Sequence, residues 1–423
     1  MGDRGAVRHP VPDWLSVDDA LDRVLLTCSP VHEERVAISK ARGRALASDI
    51  QSRVDHPPWN NSAMDGFAVR SEDVAGASEE SPVVLPVVDD VPAGGFPEGD
   101  LAPGTAVRVM TGAPVPDGAT GVIRIEHTDG SRDGRVSIRA DSDSRRNIRL
   151  SGEDLRRGDT ILKAGTEVTP AVVGSLAAMG WPDVLVRRRP RVGVLSNGDE
   201  LADFDDLDDV LAGRRIMNSN EHGLAALVSA TGAEPVRLGI ARDDRADVRS
   251  RIETAGEIDA LITSAGVSVG DHDHVKEALD SLGMEHGFWR VRMRPGSPIT
   301  FGVLDGRPVF GLPGNPVSVM VTYHVFVEPA VRALAGHARV RRRTIAVRSA
   351  EDIHSPERLT HFFRVCLEPG VDGRYEARLT GPQGSGILSS MVSADALAIV
   401  PEGRAGIERG EDVEVIPLQE WIA

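Results

Sequence analysis

Cysteine and lysine are nearly missing from this chain. Only Cys28 and Cys366 occur in 423 residues, far apart and in no metal-ligand spacing. That excludes a disulfide framework and a zinc site, and fits a reducing compartment. Lysine occurs three times, at Lys40, Lys163 and Lys276, among 48 basic residues, so almost all positive charge is arginine. Aromatics make up 4% of the chain. No apolar run reaches the roughly 18 residues of a membrane span. Residues 1–13 carry Arg4, Arg8 and His9 but no apolar stretch, so no secretory signal is expected and the chain reads as soluble and cytoplasmic. Positive charge is also outweighed: 64 acidic residues give a net charge of -16. Nucleic acid is therefore a poor partner, because a phosphate backbone needs a basic face. An acidic, lysine-poor surface fits either a high-salt cytoplasm or a codon usage that favours arginine, and the sequence leaves both open.

What is present is a globular composition, with 41% hydrophobic and 26% charged residues. The length implies two to four domains. Ser16, followed three residues later by Asp19, opens a helix with the apolar stripe Val17, Leu21, Val24 and Leu25, and Pro30 lies beyond its end. From 53 to 138 short β-prone runs (83–88, 106–110, 120–125, 135–138) are broken by Pro and Gly, which predicts a small barrel or sandwich. Thr169, Pro170 and Gly180 then bracket a second helix, expected to pack beside the first. Segments 11–52 and 145–188 are accordingly read as one domain, with a β-domain at 53–144 inserted between them.

From 189 to 336 strands and helices alternate, which predicts a doubly wound α/β domain with a mostly parallel sheet, and the Asp305-Gly306 pair should turn a hairpin. Short β-like runs over 340–423 predict a small C-terminal β-domain. The fold class is thus multidomain α/β. In such a sheet ligands bind beyond the carboxyl ends of the strands. Three polar, glycine-containing loops stand there: 196–200, 265–273 and 311–318. In the second, Gly266 and Gly270 would let backbone N–H groups approach an anion, with Asp271 or Asp273 at the following helix start. A single loop of this kind is more often structural, and three at one sheet edge point to a site.

These loops resemble the molybdopterin-binding domain shared by MoeA, gephyrin and MogA proteins. Pro58-Trp-Asn-Asn-Ser-Ala-Met-Asp65-Gly-Phe-Ala-Val-Arg70, Val109-Met-Thr111-Gly-Ala-Pro-Val-Pro116, Asn147-Ile-Arg149 with Gly152-Glu-Asp154, and Gly381-Pro-Gln383-Gly-Ser385 resemble further motifs of MoeA and the gephyrin E domain in the same order. The match runs from about 12 to 417, which favours the MoeA type over the single-domain MogA type.

The resemblance implies a transferase that inserts molybdate into adenylylated molybdopterin with Mg2+ and releases AMP. It further implies a homodimer whose site combines Asp65 and Thr111 of one subunit with α/β and C-terminal loops of the other, and a possible hand-over partner in the adenylyltransferase of the same pathway. Both substrates are anions. Lys276, Arg290, Arg292, Arg294 and Arg364 are the candidate cations, joined in substrate binding by Thr111, Ser268, Gly270, Asp271, Pro313, Gly314, Asn315, Ser318 and Ser385. Asp65, Glu200, Asp243 and Asp273 are the candidate catalytic acids, and the last three are also the candidate Mg2+ ligands. Arg290 and Arg294 stand where the family usually has lysine, and Ser297 where it often has a third. Two other readings use the same domain: an adenylyltransferase for the same pterin, and a non-catalytic scaffold. The five aspartates within 203–209 lack calcium-loop spacing and read as a solvated flap, His272 and His274 as surface residues, and Cys28 as packing.

Overall fold

The computed structural model describes residues 14–265 and 274–419. The first helix, Val17–Leu26, is capped as its sequence predicts: Ser16 Oγ accepts the Asp19 N–H at 3.1 Å. The second, Pro170–Ala178, starts at Thr169, whose hydroxyl accepts the Val172 N–H at 3.3 Å. The two do not share a core. Ala20, Leu21 and Val24 pack into the α/β core with Val331 and Leu334, whereas Leu176 and Met179 pack with Leu46, Ile50 and Val184. An amphipathic stripe announces that a face will be buried without saying against what, so the expected helix pair does not form.

Around the second helix, Glu33–Ala37 pairs antiparallel with Asp183–Arg187, and Ile50–Gln51 with Thr160–Leu162. The chain between these pairs forms a five-stranded sheet of Gly121–Arg124, Gly66–Val69, Ala106–Val109, Val83–Val91 and Arg135–Ile138, in that spatial order. Gly66 is needed here, because a Cβ would lie 2.0 Å from the Ile123 carbonyl oxygen across the strand pair. Asp65 immediately precedes the strand Gly66–Val69, on the sheet rim.

The α/β sheet has the spatial order Glu234–Ala241, Arg191–Asn197, Ala260–Ser264, Arg307–Leu312, Thr300–Leu304, Glu285–Phe288. The first four are parallel and the last two antiparallel. Covered on both faces, its central strands read as continuous apolar runs, as in Ala260–Ser264, which is buried throughout. Asp305 and Gly306, both at positive φ, close the expected hairpin. The helical run Pro316–Leu334 includes a π-helical turn at Tyr323–Val327. It is long and apolar enough to cross a membrane, but 83% of its apolar window is buried inside the protein, as in a core helix.

A second six-stranded sheet closes the chain, built from Ile345–Ser349, Thr360–Pro369, Tyr375–Leu379, Ala396–Val400 and Asp412–Pro417. Its remaining strand is borrowed: Met293–Arg294, from within the α/β segment, pairs parallel with Thr360 and His361. This insertion ties the two regions together and delivers Arg294 to the C-terminal sheet.

Candidate functional site

The borrowed strand creates a cleft of about 300 Å³ lined by Arg294, His361, Arg364 and Gln383 among others. Among the described residues no carboxylate lines it. Arg294 is exposed, whereas Arg364 is 1% exposed. The Arg364 side chain donates from Nε to Ser390 Oγ (3.1 Å) and from a terminal nitrogen to the Gly384 carbonyl (3.1 Å), while Gln383 exchanges hydrogen bonds with its backbone. No ion pair to a carboxylate forms at Arg364 among the described residues. Burial pushes its pKa down, the behaviour of a cation lacking a counter-charge. The sequence reading took Arg364 as a direct anion contact; the structure gives it in addition the task of holding the 383–390 loop.

That loop sits on the start of the helix Pro316–Thr322. The Val317 N–H donates to the Ser385 carbonyl at 3.1 Å, which joins Ser385 to the Pro313-Gly314-Asn315 turn. Asn220 Nδ2 donates to the Gly314 carbonyl at 2.7 Å. Asn315 begins the helix without a side-chain cap, and Ser318 is buried one turn on. The Arg294 turn lies against the same helix: Gly296, at φ +101°, leaves room where a Cβ would stand 2.3 Å from Thr322 Cγ2. Ser385, Pro313, Gly314 and Asn315 are thus gathered at the positive end of this helix, next to the loop that Arg364 holds, while the Arg294 turn touches the helix further along, near Ser318 and Thr322.

Other candidates lie nearby or apart. Arg292 is committed to structure, with Nε donating to both Glu402 oxygens at 2.9 Å and a terminal nitrogen to the Trp14 carbonyl. Its partners are 110 and 278 residues away, so no local signal distinguishes it from Arg294. Arg290 lies over the Trp14 ring at 5.8 Å, and Lys276 over Trp289 at 4.1 Å. Glu200 and Asp243 are on adjoining turns at the ends of neighbouring parallel strands. Asp243 accepts from Asn197 Nδ2 (2.6 Å) and from the Asp199 N–H (3.3 Å), whereas Glu200 is exposed beside Gly198. Among the described residues no three His, Cys, Asp or Glu side chains gather as a metal-binding set. Ser268, Gly270, Asp271, Asp273 and His272 lie outside the described residues.

Asp65 and Thr111 meet in the inserted β-sheet region. Asp65 Oδ1 accepts both the Thr111 N–H and its hydroxyl, each at 2.7 Å, and these two donors hold the carboxyl below its usual range. The pair is exposed. His361, by contrast, was not singled out from the sequence. Nothing in the run Thr360-His-Phe-Phe-Arg364 marks it, and its interest comes from burial alone.

The architecture defines a class: a multidomain α/β protein with a doubly wound MogA-like domain and a C-terminal β-domain, carrying an arginine-lined cleft at their junction. Residues 15–180 match the MoeA N-terminal region (domain I and II), 193–333 the probable molybdopterin binding domain, and 346–418 the MoeA C-terminal region (domain IV). A molybdopterin molybdenumtransferase of Nostoc sp. is 40% identical over 97% of this chain and 95% of its own. Molybdopterin molybdenumtransferase 2 of Mycobacterium tuberculosis is 38% identical over 93% and 96%. The crystal structure of a molybdopterin biosynthesis MoeA protein from Pyrococcus horikoshii superposes with a TM-score of 0.82 at 29% identity, covering 96% of this chain and all of that one. The chain belongs to the MoeA family.

Proposed function

We propose that this chain acts in molybdenum cofactor biosynthesis by inserting molybdate into adenylylated molybdopterin with release of AMP. The observation that carries the reading is the cleft between Arg294 and Arg364, free of carboxylates in a protein of net charge -16. A tetrahedral oxyanion finds guanidinium donors there, beside the start of the helix Pro316–Thr322. The α/β loops at 196–200, 265–273 and 311–318 would take the pterin and its pyrophosphate, with Lys276, Arg290, Pro313, Gly314, Asn315 and Ser318 as the described contacts and Ser268, Gly270 and Asp271 as the others. Extension of the family match through the N-terminal and C-terminal regions favours this reading over an adenylyltransferase built on the α/β domain alone, and over a scaffold.

Glu200 and Asp243, with Asp273, are proposed as Mg2+ ligands. Two hard oxygen donors on adjoining turns suit this ion, which keeps several waters and takes other ligands from phosphate. Bound there, Mg2+ would neutralise charge at the phosphoanhydride. Asp243, steadied by Asn197 and Asp199, orients the turn, and Glu200 reaches outward from it. The proposal also takes the chain as a cytoplasmic homodimer, with Asp65 and Thr111 of one subunit completing the other's site and the pathway's adenylyltransferase as supplier. The domain limits proposed are 11–52 with 145–188, 53–144, 189–336 and 340–423. Incubation of the pure protein with adenylylated molybdopterin, molybdate and magnesium should release AMP in proportion to molybdate. Molybdate-independent release, or none, would contradict the assignment.

A further inference from the structure

One polar group in the cleft is left over once the contacts of Arg294 and Arg364 are assigned. His361 is 4% exposed and stands in register with Arg294 across the paired strands. Its Nδ1 is hydrogen-bonded to the Ser355 hydroxyl, and its Nε2 is buried with no partner among the described residues. With Ser355 donating to Nδ1, the ring proton resides on Nε2, and that edge is what the imidazole has left for a ligand.

The groups facing this ring set its charge. Arg294 lies across the strand pair, Arg364 is on its own strand, and His354 lines the same cleft beside Ser355. On its other side the paired residue is Val400. Glu402, whose N–H meets Thr360 Oγ1, gives its carboxylate to Arg292. No carboxylate is left in the cleft to favour a second positive charge, so burial and the Arg294 cation keep His361 below its ordinary pKa and neutral. An arriving oxyanion reverses this field. It offsets Arg294 and offers the acceptor that Nε2 lacks.

We propose that His361 takes up a proton at Nδ1 when an oxyanion enters this cleft, the Ser355 hydroxyl turning to accept it, so that anion binding is proton-linked and the Nε2–H meets the oxyanion as part of an imidazolium beside the guanidinium donors. The inference rests on the cleft being the oxyanion subsite. It makes His361 a residue that adjusts oxyanion affinity to pH, a task neither arginine can perform because both stay charged.

The test is calorimetric titration of the full-length protein with sodium tungstate at pH 7, in buffers of different ionisation enthalpy. Wild type should take up a measurable fraction of a proton per anion bound, and its affinity should rise at least about threefold from pH 8 to pH 6.5. His361→Gln, which keeps a neutral donor, should bind with no uptake and a flat pH profile, while His32→Gln, at an exposed histidine outside the cleft, should behave as wild type. Saturable binding by wild type without proton uptake overturns the proposal whether or not the His361 variant folds, and so does uptake unchanged in a folded His361→Gln. Absence of any saturable tungstate binding by wild type instead overturns the oxyanion reading of the cleft itself.

Discussion

The arginine cleft and the Asp65–Thr111 pair are built in opposite ways. Arg364 is buried, its Nε and one terminal nitrogen hold the loop around it, and the cleft is held by a strand borrowed from the neighbouring region. Asp65 is exposed and is steadied only by the two Thr111 donors. The cleft is therefore made where it stands, with its cost of assembly met by folding. The pair is a presented group, cheap to build and useful only when brought to something else. This contrast supports a shared site between two subunits, since a carboxylate on a sheet rim has little to act on within its own region.

Arg364→Met should show the contrast most strongly. It leaves the buried Ser390 hydroxyl without its donor and frees the loop at Gly384, and should destabilise the protein by about 3 kcal/mol in a denaturant melt. Molybdate-dependent AMP release should disappear with it. A stable, active variant would mean that the cleft is not built around this residue.

Arg294→Ala comes next and separates binding from folding. Because Arg294 is exposed on the rim of the cleft, its loss should weaken binding of the tetrahedral oxyanion by on the order of 2 to 3 kcal/mol while the melt stays put. Equal affinity for wild type and variant in a tungstate titration would remove Arg294 from the site.

Asp65→Asn keeps an oxygen for both Thr111 donors, so its melt should agree with wild type within about 0.5 kcal/mol, while turnover falls at least about tenfold. The Thr111 donors already hold the carboxyl below its usual range, so it remains ionised as pH falls to well below neutral. The pH profile of wild-type turnover should accordingly show no Asp65 inflection near neutrality, and the appearance of one in wild type that is absent in Asp65→Asn would contradict this.

The smallest effect lies outside both regions. Burial and the Arg332 cation lower the pKa of His337 to about 4. Between about 4 and its ordinary 6.5 the imidazole is neutral in the folded protein and protonated in the unfolded chain. Its contribution is therefore complete above 6.5 and is lost as pH falls, by about 1 kcal/mol at pH 5.5. His337→Gln should flatten that part of the melting-temperature profile without changing AMP release at pH 7.5, and an unchanged slope would show that His337 is charged in the fold.

The same contrast explains how much could be read from the sequence. Helix ends were legible because Ser16 and Thr169 act on N–H groups three residues away. The α/β region was legible because strand and helix alternate with different apolar periods, and the Asp305-Gly306 turn is local chemistry. The face covered by the first helix was not, since an apolar stripe fits any core. Among the candidates, the resemblance to family motifs singled out Ser385 and the Gly314 loop, and the chemistry of oxyanion binding singled out Arg294 and Arg364. Neither revealed that Arg292 is spent on Glu402 or that His361 is buried with a free nitrogen. Those properties arise from contacts between distant parts of the chain, such as the pairing of Arg294 with His361, and have no local pattern.

The division of labour between the cleft and the exposed pair is tested most directly by complementation. Asp65→Asn and Arg294→Glu, each inactive alone, are mixed, dissociated and reassociated, and molybdate-dependent AMP release is measured. The account predicts recovery of about a quarter of wild-type turnover, because half of the dimers are mixed and each of those has one intact site. No recovery, in a mixture shown to contain mixed dimers, would contradict it.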